Sequence, residues 1–399
     1  MAKVIDSLKK LNVGNDSKPH KNNKESKLSL FKEKTNSKDG YIYLVYGTQC
    51  DQDFKLAHVS SNDKISINYI SQDSIRLIHE ISSEVSPVMG IKFSPASKDI
   101  FYSVQNGEIK MFDLREQNKL VGVFRDDSFS NNEKKTMISF DVSYDQRLIV
   151  GATECTGGDS FILFWDVRYN KSTKEHKNNL LGGYWESHMD DITDLSFNSV
   201  RHNVLASGST DGLINVFDLT QPSEAEALMY SLNTMSSVDK LGWSGNDSLW
   251  CTTHTHVLQL WNCEDAGAYA TFERRNLMIP DVDVDYIYYY IVRYHATNAL
   301  GKPFLLTKCS AFEESKLWCL SIAGDHLEVS HEIVGNKQEV RDSWMHEKSG
   351  TLVTVGEHGT ISLWRQKESA EYPSSCESLG KIIAEKNRQH RSKPYFRSC

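Results

Sequence analysis

Asp211-Gly212-Leu213-Ile214-Asn215-Val216-Phe217-Asp218 joins a tight-turn dipeptide to an alternating run. Counted from the glycine, apolar residues fall at +2 and +4 and an aromatic at +5. Asn106-Gly107 followed by Ile109, Met111 and Phe112 has the same form, as has His358-Gly359 followed by Ile361, Leu363 and Trp364. Asn-Gly and Asp-Gly supply the positive φ angles that a two-residue hairpin demands, and the alternation predicts a strand with one buried face. The template recurs after Asp159-Ser160 (Ile162, Phe164, Trp165) and after Thr255-His256 (Leu258, Leu260, Trp261). It returns after Asn62-Asp63 (Ile65, Ile67, with Asn68 in the aromatic place) and after Glu314-Ser315 (Leu317, Cys319, Leu320). The seven copies end at residues 69, 113, 166, 218, 262, 321 and 365, at intervals of 44 to 59 residues.

A second strand repeats ahead of these hairpins. Val88–Phe93, Ile192–Phe197 and Val238–Trp243 are counterparts, with Val340–Trp344 a weaker one. Each unit therefore reads as a sheet of three recognisable strands and a fourth, less regular one. A helical period holds only briefly, around Ser223–Leu228. Such a repeat, stretched by loops, predicts an all-β fold, a seven-bladed β-propeller. The apolar-aromatic run Tyr41–Tyr46 reads as a lone strand that supplies the last blade with its fourth and closes the ring, which removes exposed edges.

The 399 residues, 39% hydrophobic and 25% charged, suit a globular chain with a large core. No run approaches the roughly 18 apolar residues of a membrane helix, and Met1–Asn15 lacks the apolar core of a secretory signal. Cysteines at 50, 155, 251, 263, 309, 319, 376 and 399 form no Cys-x-x-Cys pair, which predicts reduced, mostly buried thiols and a cytoplasmic or nuclear location. Charge is uneven. Residues 1–38 carry ten lysines against four acidic residues, and residues 381–399 carry six basic residues against one acidic. The sequence thus divides into a disordered basic tail (1–38), the ring (39–366) and a basic C-terminal tail (367–399). The body between the basic ends is acidic. Such ends either bind RNA, acidic proteins or a nuclear import receptor, or are simply solvated.

The repeats resemble those of the WD repeat family. The best copy runs from His188 through Ile192–Phe197 and Ser207-Gly208-Ser209-Thr210-Asp211-Gly212 to Val216-Phe217-Asp218, and the likeness spans about residues 41–365. The resemblance implies a structural hydrogen-bonded network of His188, Ser207 and Asp211, with Phe217 in place of the family's Trp. Asp holds the turn position only at Asp159 and Asp211, so the ring should lean on apolar packing. The resemblance also implies a non-catalytic scaffold for protein–protein interactions, with partners on the narrow-face loops near His188, Asp190, Thr210, Asp239, Arg341 and Glu357.

Trp165-Asp166-Val167-Arg168, echoed by Phe112-Asp113-Leu114-Arg115, is similar to the pattern by which WD substrate receptors dock on the adaptor of cullin-4 ubiquitin ligases. Trp165, Asp166, Arg168 and Arg115 are the residues concerned, and the alternative is that Arg168 covers its own blade. A nuclear or nucleolar assembly factor is a further alternative.

No Gly-x-Ser-x-Gly elbow, Walker A run or Gly-x-Gly-x-x-Gly run occurs, so no enzyme, cofactor or metal is expected. His254 and His256 lack supporting ligands. The tyrosines at 286–290 follow Asp281, Asp283 and Asp285, acidic neighbours that disfavour a base-stacking platform. RNA, if bound at all, is therefore expected through the tails alone.

Overall fold

A computed structural model describes residues 26–35, 40–49, 51–82, 87–126, 135–169, 180–277, 288–297, 302–311 and 314–366. Every hairpin template is the third strand of its blade, and the seven blades of a propeller are made by five four-stranded sheets and one eight-stranded sheet. In order from the axis, blade 1 is Ile42–Gly47, Phe54–Ser60, Lys64–Ile70 and Ile75–Ser82. Blade 2 is Val88–Ser94, Ser97–Gln105, Glu108–Asp113 and Lys119–Phe124. Blade 3 is Met137–Val142, Leu148–Thr153, Ile162–Asp166 and Leu180–Tyr184. Blade 4 is Ile192–Phe197, Val204–Ser209, Leu213–Asp218 and Leu228–Asn233. Blade 5 is Val238–Trp243, Ser248–Thr253, Leu258–Asn262 and Ala270–Phe272. Blade 6 is Tyr288–His295, Phe304–Ala311, Glu314–Ala323 and His326–Val334. Blade 7 is Val340–His346, Thr351–Gly356 and Thr360–Gln366, completed by Ser26–Thr35.

That last strand corrects two expectations. Tyr41–Tyr46 does not close the ring, because Ile42–Gly47 is the innermost strand of blade 1. The closing strand lies within the segment read as a disordered tail. Its Lys- and Ser-rich composition is that of an outer strand with one face in water, while Leu28 is buried against Trp364, Leu352 and Ile333. Ser26–Ser29 also pair in parallel with His331–Val334 of blade 6, which fuses blades 6 and 7 into one eight-stranded sheet. Lys34 reaches blade 1, where its Nζ donates to Asn68 Oδ1 at 3.1 Å.

The core is divided among the seven interfaces. Each adjacent pair of blades shares one apolar cluster, including blades 7 and 1, where Trp344, Val353 and Leu363 meet Phe54, Leu56 and Ile42. A blade is therefore covered on both faces, and its middle strands are largely buried. Val204–Ser209 is buried at all six positions, and Asn215, between Ile214 and Val216, is 2% exposed. The reading of one buried face per third strand was too simple. Polar residues on the second face are inside the protein and need partners.

The turns differ in detail as well. Asn106 and Gly107 both have positive φ, at 55° and 68°. At the Asp211-Gly212 turn only Gly212 does, at 85°. Asp211 Oδ1 accepts the Leu213 amide at 2.9 Å, so the aspartate caps its own turn instead of adopting the left-handed form. The brief helical signal is real: Ser223 caps Glu224–Ala227, its hydroxyl accepting the Glu226 amide. Cys251, Cys263, Cys309 and Cys319 are buried thiols. Burial pushes Cys251 up to about 12 and Cys263 up to about 11. No helix among the described residues is long and apolar enough to cross a membrane.

Candidate functional site

In blade 4 the pairing of Ile192 with Ser209 puts the loop entering the inner strand beside the Thr210–Gly212 turn. These are the narrow-face elements of the sequence reading. The structure brings His188, Ser207 and Asp211 together there. His188 Nδ1 lies 2.9 Å from Asp211 Oδ2, and Nε2 lies 2.7 Å from Ser207 Oγ. The arrangement assigns the imidazole proton to Nδ1, donated to the carboxylate, with Nε2 accepting from the serine. Asn215, two residues before the Phe217 that stands in the Trp position, approaches Nε2 at 3.5 Å and donates to Ser187 O at 2.6 Å. Burial pushes Asp211 up, but the bonds from His188, Leu213 and Met189 outweigh it and hold the carboxyl below its usual range. Ser207 is fully buried and His188 is 3% exposed. The set is therefore sealed, and His188 is withdrawn from the list of partner-contacting residues.

The other narrow-face candidates are placed differently. Asp190 is exposed, and Thr210 is half-buried with its carbonyl accepting from Ser237. Asp239 lies 3.9 Å from His254 Nδ1. Arg341 pairs with Glu357 at 2.5 Å and lies 4.3 Å over the Tyr41 ring. His256 packs edge-on against Tyr290. Among the described residues no three His, Cys, Asp or Glu side chains are grouped to hold a metal ion. Tyr290 also departs from the reading of its sequence neighbours. Its spatial neighbours are basic, with Arg274 at 4.5 Å and Lys308 at 5.6 Å from the ring centre. Asp281, Asp283 and Asp285 lie outside the described residues.

On the Trp-Asp-x-Arg element, Trp165 is 1% exposed in the blade 2–3 core and Asp166 is buried, so neither offers a surface. Arg168 donates from its amide and Nε to Asp166 Oδ1, at 2.9 and 3.0 Å, and from Nη2 to Oδ2 at 2.6 Å. Arg115 makes the same fork with Asp113, at 2.9, 3.0 and 2.6 Å. The bidentate geometry that an arginine can offer a carboxylate is made internally. Both arginines remain 67% exposed.

The axis holds residues that motif reading missed. All seven inner strands carry a bulge at the same place, after Ile42, Val88, Met137, Ile192, Val238, Ile291 and Val340. A bulge re-aims the side chains that follow it. An axial channel of about 400 Å³ results, lined in part by Lys92, Asp194, Lys240, Arg293 and Asp342. Lys92 pairs with Asp141, and Arg293 pairs with Asp342 at 2.8 Å. Three aspartates each tie their blade to the next through a backbone amide. Asp141 accepts from Phe197 at 2.7 Å, Asp194 from Leu241 at 3.0 Å, and Asp342 from Val45 at 2.9 Å. Burial raises Asp194 and Asp342 above the usual carboxylate range, against the pull of Lys240 and Arg293. The available signal was a charged residue two places past the bulge-opening residue: Asp194 after Ile192, Lys240 after Val238, Arg293 after Ile291 and Asp342 after Val340.

Comparisons with known proteins agree with this architecture. The chain is 23% identical to an uncharacterized WD repeat-containing protein of Saccharomyces cerevisiae, over 78% of this chain and 76% of that one. It is 29% identical to WD repeat-containing protein GTS1 of Arabidopsis thaliana, over half of this chain and 47% of that protein. It is 33% identical to the WD repeat-containing protein 89 homolog of Dictyostelium discoideum, over 24% of this chain and 26% of that one. No protein-family profile matches the chain.

Proposed function

We propose that this WD-repeat propeller is a non-catalytic scaffold that docks protein partners on its narrow face. The observation that carries the reading is the sealed state of His188, Ser207 and Asp211. These three side chains spend their hydrogen bonds on fastening strands, and Ser207 is closed to any substrate. Relatives that share the repeat architecture support a role in protein interaction. The test is size-exclusion chromatography of the tagged full chain from its native extract. A complex well above 45.4 kDa is expected, lost with Asp190→Arg plus Asp239→Arg and kept with a charge reversal at the opposite face, Asp145→Arg. A monomeric elution, or a partner indifferent to the narrow-face changes, overturns the reading.

A second reading, a substrate receptor for the cullin-4 ligase adaptor, draws on one observation: Arg115 and Arg168 stand exposed on identical forks of adjacent blades. Capture of the adaptor by the parent chain and its loss with Arg168→Ala plus Arg115→Ala supports it. Absence of the adaptor from both removes it. A nuclear or nucleolar assembly role, and RNA binding, would rest largely on residues 1–25 and 367–399, which lie outside the described residues. Imaging of chains cut at these ends tests the location.

A further inference from the structure

Met189 and Met235 are 81% and 86% exposed, the most exposed large apolar residues described. They stand on the loops that enter blades 4 and 5, on either side of the Asp211-Gly212 turn. The Met189 amide donates to Asp211 Oδ2 at 3.1 Å, and the Thr234 amide donates to Gly212 O at 2.9 Å. Neither loop is loose. Asp191 Oδ1 accepts the Cys155 amide at 2.7 Å, and Asp191 O accepts the Thr210 amide at 2.9 Å. Met235 has φ 60°, a conformation that is unfavourable for a bulky residue. It is pinned by a bond from its amide to Asn233 Oδ1 at 2.9 Å, while the adjacent Thr234 Oγ1 sits between the Gly212 and Ser236 carbonyls, within hydrogen-bond reach of both. Local strain is thus spent on holding an apolar side chain out in water, the pattern of a binding element rather than of packing.

The surroundings say what would cover these side chains. Residues 154–160, 185–191, 210–212 and 234–239 contain seven acidic residues and no Lys or Arg. Asp191 and Asp211 are engaged in the bonds above, which leaves Glu154, Asp159, Glu186, Asp190 and Asp239 facing outward, fully or in part. Lys135, the nearest described lysine before these loops, sits over the Phe161 ring at 3.0 Å. We infer that the blade 4–5 sector of the narrow face is a docking site for a basic peptide segment carrying an apolar anchor. The two methionines take the anchor, and thioether side chains adapt to its shape. The outward carboxylates take flanking Lys or Arg and speed its approach. This inference deepens the scaffold reading and rests on it.

The test selects a displayed library of random 12-residue peptides on the full chain and measures the winners by fluorescence anisotropy. The expected winners are Lys/Arg-rich with at least one large apolar residue. Their affinity should fall about tenfold or more with Met189→Glu plus Met235→Glu, hold within about twofold with both residues changed to Leu, and weaken with added salt. Both positions are so exposed that the variants should keep the parent's melting profile. Acidic or purely polar winners, no winners, or winners indifferent to the Glu pair overturn the inference. If the native complex survives the Glu pair but not Asp190→Arg plus Asp239→Arg, the scaffold reading stands and the methionine site falls.

Discussion

Blades 4 and 7 fasten the same three inner strands by different means. Blade 4 is one continuous stretch of chain. Its strands are stapled by His188, which reaches Ser207 on the second strand and Asp211 in the turn, all within 24 residues. Blade 7 has no such histidine. The loop entering it carries Gln338, whose Nε2 donates to Thr360 O at 2.8 Å, and His358 stands in the turn where blade 4 has Asp211. Trp364 Nε1 does donate to Thr354 Oγ1 at 2.8 Å, the bond that blade 4 lacks through Phe217. Blade 7 takes its fourth strand from residues 26–35, more than 300 positions away in sequence. A local polar network and a distant apolar clasp are thus alternative ways to stabilise one sheet. They differ in what breaks them.

The clasp is the weaker point. Leu28→Asp should cost about 3 kcal/mol or more, since it removes a buried leucine and buries a charge beside Trp364. Urea unfolding measures the loss, and light scattering should show association through the freed edge of Thr360–Gln366. A change under about 0.5 kcal/mol would mean that blade 7 stands without its clasp.

His188→Ala should cost about 2–3 kcal/mol, because Ser207 and Asp211 lose a buried partner. Gln338→Ala, which removes one bond in blade 7, should cost about 1 kcal/mol. Equal losses in the two unfolding curves would erase the contrast.

Acid should act on the two regions with opposite sign. Asp211 is held below its unfolded value, so its contribution is complete above about pH 4 and is lost as pH falls through the folded value. Asp342, at the seam of blades 7 and 1, is raised by burial, so lowering the pH through its folded value relieves a penalty. The stability advantage of the parent over Asp211→Asn should therefore be present at pH 6 and shrink toward about pH 3. An advantage that grows on acidification contradicts this assignment.

The smallest effect is expected at the exposed fork. Arg168→Ala should change stability by less than about 1 kcal/mol, whatever it does to a partner. A larger loss in thermal melting would make Arg168 part of the blade rather than its surface.

Much of this was legible before any coordinates. The turn-and-alternation template located all seven third strands, because a hairpin's demands on φ and on side-chain alternation are local. The network of blade 4 was legible only through the family resemblance, carried over onto His188, Ser207 and Asp211. Ser26–Thr35 was not, because an outer strand needs only Leu28 and Leu30 turned inward and otherwise has the composition of a solvated segment. The setting of Tyr290 was missed because Arg274, Lys308 and His256 come from other strands and loops, while its acidic sequence neighbours suggested the reverse.

By itself, then, the sequence determined the repeat and the strand that each repeat contributes, and the family resemblance added the His188–Asp211 staple, all set by contacts a few residues to a few tens of residues apart. The tertiary structure alone decided which segment closes the ring, which arginine edges are spent on internal carboxylates, which acidic residues tie blades together at the axis, and which methionines are held out in water. These depend on what the closed ring brings beside each side chain, and strands hundreds of residues apart become neighbours only when it closes.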